Sequence, residues 1–213
     1  MADIAVIDYG MGNLRSVEQA LRHVAGDQSV LVTSDPEEVL AADRVVFPGQ
    51  GAMPDCVREL DARGLRQPLL VAARNKPFLG ICIGLQMLFS HSEEGDTLGL
   101  GIFPGRVRRF PSGMHDAAGS KLKVPHMGWN EVRQARSHPL WAGIALDARY
   151  YFVHSYYVEP TDPALETAYT EYPSRFTSAV GHDNIFAVQF HPEKSQQAGL
   201  SLLYNFVNWD GRP

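Results

Sequence analysis

Short apolar runs alternate with helix-like patterns through the N-terminal half, and this alternation constrains the fold more than any other feature of the chain. Ile4-Ala5-Val6-Ile7 reads as a buried strand closed by the turn formers Asp8-Tyr9-Gly10. Asn13 stands where a helix cap belongs. Leu14, Val17, Leu21 and Val24 then recur every three or four residues, and Gly26 can end the helix. A second strand fits Val30 to Thr33, followed by Ser34 and Glu37 in capping-box spacing, and a third fits Val45 to Phe47. Arg66 to Asn75 reads as a helix. Pro77 to Ile81 reads as a strand running into Cys82 and a helical stretch from Gly84 to Phe89. Strands separated by helices form a parallel sheet with right-handed crossovers.

From about Arg106 the pattern becomes strand-like. The runs are Tyr150 to Val158, Glu166 to Glu171, Phe176 to Val180 and Ile185 to Phe190, with Gly181-His182-Asp183-Asn184 as a hairpin turn. A last helix over Gln197 to Asn208 would dock Leu200, Leu203 and Val207 on the sheet. With no repeat or linker, residues 1–213 are expected to form one α/β domain, mainly parallel with an added antiparallel portion and helices on the flanks. The 213 residues suffice for one core.

Nineteen Lys and Arg against twenty-four Asp and Glu give a formal charge of -5, with a pI near 5.9. That balance argues against nucleic acid and anionic membrane as partners. Arg106, Arg108 and Arg109, interleaved with Val107, read as one solvated strand face. No secretion signal or run of ~20 apolar residues is present, and Cys56 and Cys82 are the two cysteines, so a soluble protein of the reducing cytoplasm is expected. Gly10-Met11-Gly12 begins like a dinucleotide fingerprint, but Arg15 holds the third glycine position. The eight histidines show no metal-ligand spacing, and neither metal nor organic cofactor is expected.

Gly80-Ile81-Cys82-Ile83-Gly84 lies where a strand turns into a helix, which is a nucleophile elbow carrying sulfur. The glycines relieve crowding in a strained turn, and the helix directs its N-terminal dipole at Cys82, favouring thiolate. Cys56 lacks that setting and reads as a structural, buried thiol. A thiolate attacking an amide needs a base and a group to orient it, and His191-Pro192-Glu193 supplies both. Proline disfavours helix at His191, so the tripeptide is expected to be extended, with His191 and Glu193 on one side. The tetrahedral oxyanion needs fixed donors: the Ile83 N–H, and the loop Pro48-Gly49-Gln50-Gly51. His126, His154, Trp129, Tyr156 and Tyr157 read as core or site-wall residues.

These residues resemble the class I, triad-type glutamine amidotransferases through GICIGLQ at Gly80 to Gln86 and FHPE at Phe190 to Glu193. Within that class the chain is similar to the glutaminase subunits of imidazole glycerol phosphate synthases, through DYGMGNLRS from Asp8, PGQGAM from Pro48, PHMGWN from Pro125, YFVHSY from Tyr151 and FHPEKS from Phe190. The match spans nearly the whole chain. Ile83 and Leu85 are conservative departures, and Gln50 stands where the family often has Val.

The resemblance implies a flavodoxin-like amidotransferase fold. It implies Cys82 as the thioester-forming nucleophile, His191 as base and then acid, Glu193 as its orienter, and Gly51 and Gln86 as L-glutamine contacts. It further implies a heterodimer with a (βα)8-barrel synthase subunit, which uses the ammonia to make imidazole glycerol phosphate and an aminoimidazole carboxamide ribotide in histidine biosynthesis. Asn13, Trp129 and Lys194 are the expected partner-facing residues, since they lie in or beside these motifs with no step in the triad chemistry. Amidotransferase subunits of other pathways share the chemistry, but Pro125 to Asn130 and Tyr151 to Tyr156 resemble the histidine-pathway subunits. A non-catalytic relative would be expected to lack the nucleophile or the base.

Overall fold

The computed structural model describes residues 2–116 and 118–213. The first half runs β1 (Ile4–Ile7), α1 (Leu14–Val24), β2 (Val30–Thr33), α2 (Pro36–Ala41), β3 (Arg44–Gly49), α3 (Met53–Ala62), α4 (Arg66–Asn75), β4 (Phe78–Cys82) and α5 (Ile83–Met87). It continues through β5 (Phe89–Ser92), β6 (Thr97–Leu98), β7 (Phe103–Arg109), β8 (His126–Glu131), β9 (Arg133–Gln134), β10 (Arg149–His154), β11 (Tyr156–Pro160), β12 (Glu166–Glu171), β13 (Arg175–His182), β14 (Ile185–Val188) and α6 (Gln196–Asn208).

Strands β2-β1-β3-β4-β14 pair in parallel, and β13, β11 and β7 extend the same sheet antiparallel from β14. The core strands β1, β4 and β14 are buried at every residue, as expected of parallel strands covered on both faces. Strands β8 and β10 form a separate two-stranded antiparallel sheet. No helix among the described residues is long and apolar enough to cross a membrane. On β7, Val107 is buried while Arg106, Arg108 and Arg109 face outward.

Several elements depart from the sequence expectation for identifiable reasons. Residues 53–62, left unassigned there, form α3, and its buried Met53, Cys56 and Leu60 keep the three-and-four spacing that marks a helix. The cap of α2 is Asp35 rather than Ser34: Asp35 Oδ1 accepts the Glu37 N–H at 2.8 Å, because Pro36 opens the helix and holds the residue before it extended. The run from Tyr150 to Val158 is two strands in two sheets, broken at Ser155. The helical stretch after Cys82 ends at Met87, and Phe89 begins β5. On α6, Leu203 and Val207 are buried as expected, joined by Leu202 and Phe206, while Leu200 is only half-buried.

The close approach of α5 to β3 depends on Gly84, where a Cβ would overlap the Phe47 carbonyl oxygen. We expect Gly84→Ala to lower the unfolding free energy by about 1–3 kcal/mol through overpacking. Urea denaturation checks this, and an unchanged midpoint would mean that the β3–α5 contact yields at little cost.

Candidate active site

Cys82 ends β4 and precedes α5 with φ 56° and ψ -108°, a conformation disfavoured for any residue bearing a Cβ. The turn lifts the side chain off the strand end, and Gly80 and Gly84 flank it because side chains there would strike Ala187 and Phe47. Ile83 opens α5, so its N–H has no intrahelical acceptor and is available to a ligand. With five residues, α5 carries less dipole than the sequence expectation assumed, and charge stabilisation at the sulfur falls mainly on His191.

His191 is buried, and its Nδ1 lies 2.8 Å from Glu193 Oε1, whose side chain is also almost fully buried. The tripeptide is not extended throughout. His191 is extended (φ -104°, ψ 95°), but Pro192–Lys194 is a single 3-10 turn, which proline at its first position favours, and the turn brings the carboxylate back to the ring. The backbone is pinned on both sides. His191 N–H donates to Tyr151 O at 2.9 Å, and the Ser195 hydroxyl donates to His191 O at 2.6 Å while accepting the Tyr151 N–H at 3.0 Å.

Burial by itself would lower the proton affinity of His191. The charge and hydrogen-bonding capacity of Cys82, and then Glu193, outweigh it and push the imidazole up to about 10. A protonated ring beside the sulfur is the counter-charge a thiolate needs. Nε2 makes no full hydrogen bond to a protein group, which leaves it available on the Cys82 side. Cys56 is different: its thiol faces the Gln50 carbonyl at 3.5 Å, and burial pushes it up to about 11.

Both catalytic candidates open on a cavity of about 430 Å³, with Gln50, Gly51, Ile83, Gln86 and Lys194 on its wall. Gly49 is not on that wall. It is the last residue of β3, paired with Cys82, and its missing side chain makes room for the Tyr9 hydroxyl and Ile83. The Gln50 carbonyl is turned to Cys56, so the trans peptide aims the Gly51 N–H the opposite way. Gly51 itself has φ +109°, which gives this peptide freedom to swing.

Among the interface candidates, Trp129 is 40% exposed and meets Tyr151 edge-on at 6.3 Å, while Lys194 Nζ lies 6.0 Å from the same Tyr151 ring. Asn13 is separate, in a crevice beside His191 and Glu193. It precedes α1 as expected, but its side chain donates to Ser16 Oγ at 2.7 Å and caps no backbone N–H.

Three residues escaped the sequence reading. Glu94 lines the cavity and accepts the Met53 N–H at the start of α3, Ser195 fixes the His191 backbone, and Gln189 places Nε2 3.7 Å from Cys82 Sγ. Gln189 carried a signal, since it is the one polar side chain in the apolar run Ile185 to Phe190.

The family model for class-I glutamine amidotransferases matches residues 5–209. The imidazole glycerol phosphate synthase subunit HisH of Dechloromonas aromatica is 68% identical over 207 residues, covering 97% of this chain and 96% of that protein. The protein of the same name from Thiobacillus denitrificans is 65% identical, covering 98% and 92%. Among solved structures, one described as a glutamine amidotransferase aligns with TM-score 0.71 at 15% identity over 98% of this chain and 100% of its own. The glutaminase domain of Trypanosoma brucei CTPS aligns at 0.63 with 18% identity, over 99% and 95%; these two show the fold. By the match over residues 5–209 and the 68% identity across 97% of its length, the chain belongs to the class-I glutamine amidotransferase family.

Proposed function

We propose that this chain is the glutaminase subunit of an imidazole glycerol phosphate synthase, using Cys82, His191 and Glu193 to release ammonia from L-glutamine for a (βα)8-barrel partner. The reading is carried by the opening of Cys82 and His191 onto one cavity, with Glu193 buried behind the ring, in a chain 68% identical to a HisH subunit. Residues 1–213 act as one amidotransferase domain, in the cytoplasm, within a heterodimer.

The Cys82 thiolate attacks the side-chain carboxamide carbon of glutamine. The resulting oxyanion takes hydrogen bonds from the Ile83 N–H and from a backbone N–H of the Gln50–Gly51 segment. His191 gives its proton to the leaving nitrogen, the C–N bond breaks, and ammonia departs from a γ-glutamyl thioester. Neutral His191 then takes a proton from water, whose oxygen attacks the thioester, and glutamate leaves as the thiolate is restored. Glu193 keeps the imidazole turned so that Nε2 faces the sulfur. Gln86 and Glu94 line the cavity, and their acceptor oxygens suit the α-ammonium group of glutamine.

Cys82→Ala is expected to abolish glutamine hydrolysis while synthesis by the partner from added ammonia persists; retained glutaminase activity would exclude Cys82 as nucleophile. His191→Ala should be comparably severe, and the loss in Glu193→Gln at least about ten times smaller, since orientation is weakened but the base remains.

Iodoacetamide labelling against pH separates the two cysteines. Cys82, beside a protonated His191, should react at lower pH than Cys56, which should stay silent until the pH approaches about 11. Coincident profiles would remove the electrostatic part of the mechanism.

A triad working alone would lose ammonia to protonation in water, so the oxyanion donors should be completed by the liganded partner. One donor is worth about 3 kcal/mol, so a single reoriented peptide at Gly51 supplies a factor of about a hundred. Turnover of the isolated chain should therefore be slow and rise by about that factor with partner and ligand. Full activity alone would sink the coupling, and unaltered activation in Trp129→Ala and Lys194→Ala would remove those residues from the interface.

A further inference from the structure

Gln189 follows β14 and is fully buried between the elements that carry the nucleophile and the base. Its backbone N–H donates to Ser178 O at 2.9 Å, extending the pairing with β13, and its side chain turns inward. There Gln189 Oε1 accepts a hydrogen bond from Gln86 Nε2 at 3.1 Å, and Gln189 Nε2 lies 3.7 Å from Cys82 Sγ. The surrounding donors and acceptors fix which end of each amide is which. Gln86 Nε2 also donates to the Tyr156 carbonyl at 3.1 Å, and a backbone carbonyl can only accept. Gln86 therefore turns its NH2 toward Tyr156 and Gln189, the facing atom of Gln189 must be oxygen, and its NH2 is left for the sulfur.

The far side of this arrangement is equally determined. Tyr156 O also receives His154 Nδ1–H at 2.7 Å, so His154 Nε2 accepts from His126 Nδ1–H at 3.0 Å, and His126 Nε2 accepts from Asn130 Nδ2 at 3.3 Å. Burial, above all, pushes His154 down to about 3 and His126 to about 4, so both rings stay neutral in this pattern at physiological pH. With both N–H groups engaged, Gln86 keeps Oε1 as its remaining group, buried and without a protein partner, on a residue that lines the cavity. An acceptor held in that way selects a donor on the ligand. Without the Gln189 carbonyl, one hydrogen bond would hold the Gln86 amide, and a half-turn could present NH2 instead.

We propose that Gln189 is a positioning residue of glutamine hydrolysis, whose carbonyl fixes the Gln86 amide with its oxygen toward the substrate while its N–H holds the Cys82 sulfur. One side chain thereby sets both the ligand's seat and the nucleophile's orientation. The inference rests on the glutaminase reading above.

Two variants separate the two ends of the side chain. Gln189→Glu keeps an acceptor for Gln86 but replaces the N–H facing the sulfur with oxygen, whereas Gln189→Leu removes both. Each is purified with its partner subunit, checked for folding by near-UV circular dichroism, and measured for glutamine KM and kcat. Cys82 labelling by iodoacetamide is followed against pH by mass spectrometry. The groups facing Cys82 are His191, Tyr9 and Cys56, with His154, Glu94 and Lys194 on the cavity wall, and all are unchanged in both variants.

Gln189→Leu should raise KM at least about tenfold, while Gln189→Glu should leave KM within about threefold and lower kcat. The Cys82 labelling midpoint should rise by about one pH unit in Gln189→Glu. A folded Gln189→Leu with wild-type KM would overturn the proposal, as would an equal rise of KM in both variants. If Gln189→Leu does not fold, Gln189→Glu decides alone, and an unshifted labelling midpoint rejects the role. Wild-type complex that fails to hydrolyse glutamine would instead remove the reading on which the inference rests.

Discussion

The site depends on one strained residue. Cys82 at φ 56° and ψ -108° forces the chain to leave β4 abruptly, and a conformation of that kind costs about 1–3 kcal/mol unless the surroundings determine it. The surroundings here are the two central neighbours of β4. Strand β3 brings Gly49 opposite Cys82 and the Phe47 carbonyl against Gly84, while β14 brings Ala187 against Gly80. Residues without side chains on the elbow are thus matched to close approach on both sides, by the Phe47 backbone and by the Ala187 methyl. The same β14 then delivers Gln189 and His191 to the sulfur, so the strand pairing that tolerates the strain also assembles the chemistry.

Buried polar groups at this site are oriented by fixed acceptors rather than by bulk solvent. The Tyr156 carbonyl sets the Gln86 amide and the His154 ring, and the Tyr151 carbonyl and N–H set the His191 backbone directly and through Ser195. Tyr151 and Tyr156 flank Ser155, where the chain passes from the small β8–β10 sheet into the large one. That crossing point holds both halves of the site in register. A backbone carbonyl or N–H cannot be flipped or removed by a side-chain exchange, which makes it a firmer reference than another side chain.

Much of this was legible in the sequence where the determining interactions are local. Ile4–Ile7 and Phe78–Cys82 are continuous apolar runs because parallel strands covered on both faces need no polar side, so their burial can be read from the residues alone. The elbow is legible for the same reason, its two glycines and cysteine lying within five residues. The helix α3 is equally local, marked by the three-and-four spacing of Met53, Cys56 and Leu60. What the sequence could not disclose is pairing across distance. Gln86 meets Gln189 across 103 positions and His126 meets His154 across 28, and nothing in either residue's neighbours signals the other. The break at Ser155 is of this kind too, because Tyr150 to Val158 has uniform strand character and only the two partner strands, β8 and β7, assign its halves to different sheets.

Charge couples Cys82, His191 and Glu193, of which the first two reach the cavity and the third is buried behind the ring. Glu193 is almost fully buried, and a buried carboxylate is tolerated when a cation or strong donors face it. Its Oε1 has the His191 ring, but Oε2 has no protein donor, so the carboxylate is better matched to an imidazolium than to a neutral ring. His191 in turn keeps its proton through Cys82 and Glu193 together, against the effect of burial. The three groups thus favour one charge pattern centred on the ring, whose proton burial alone would remove. In the mechanism proposed above, forming the C–S bond removes the sulfur's charge and weakens the hold on the ring proton at the step where the leaving nitrogen requires it, so the coupling that favours the resting ion pair would also direct the proton to ammonia.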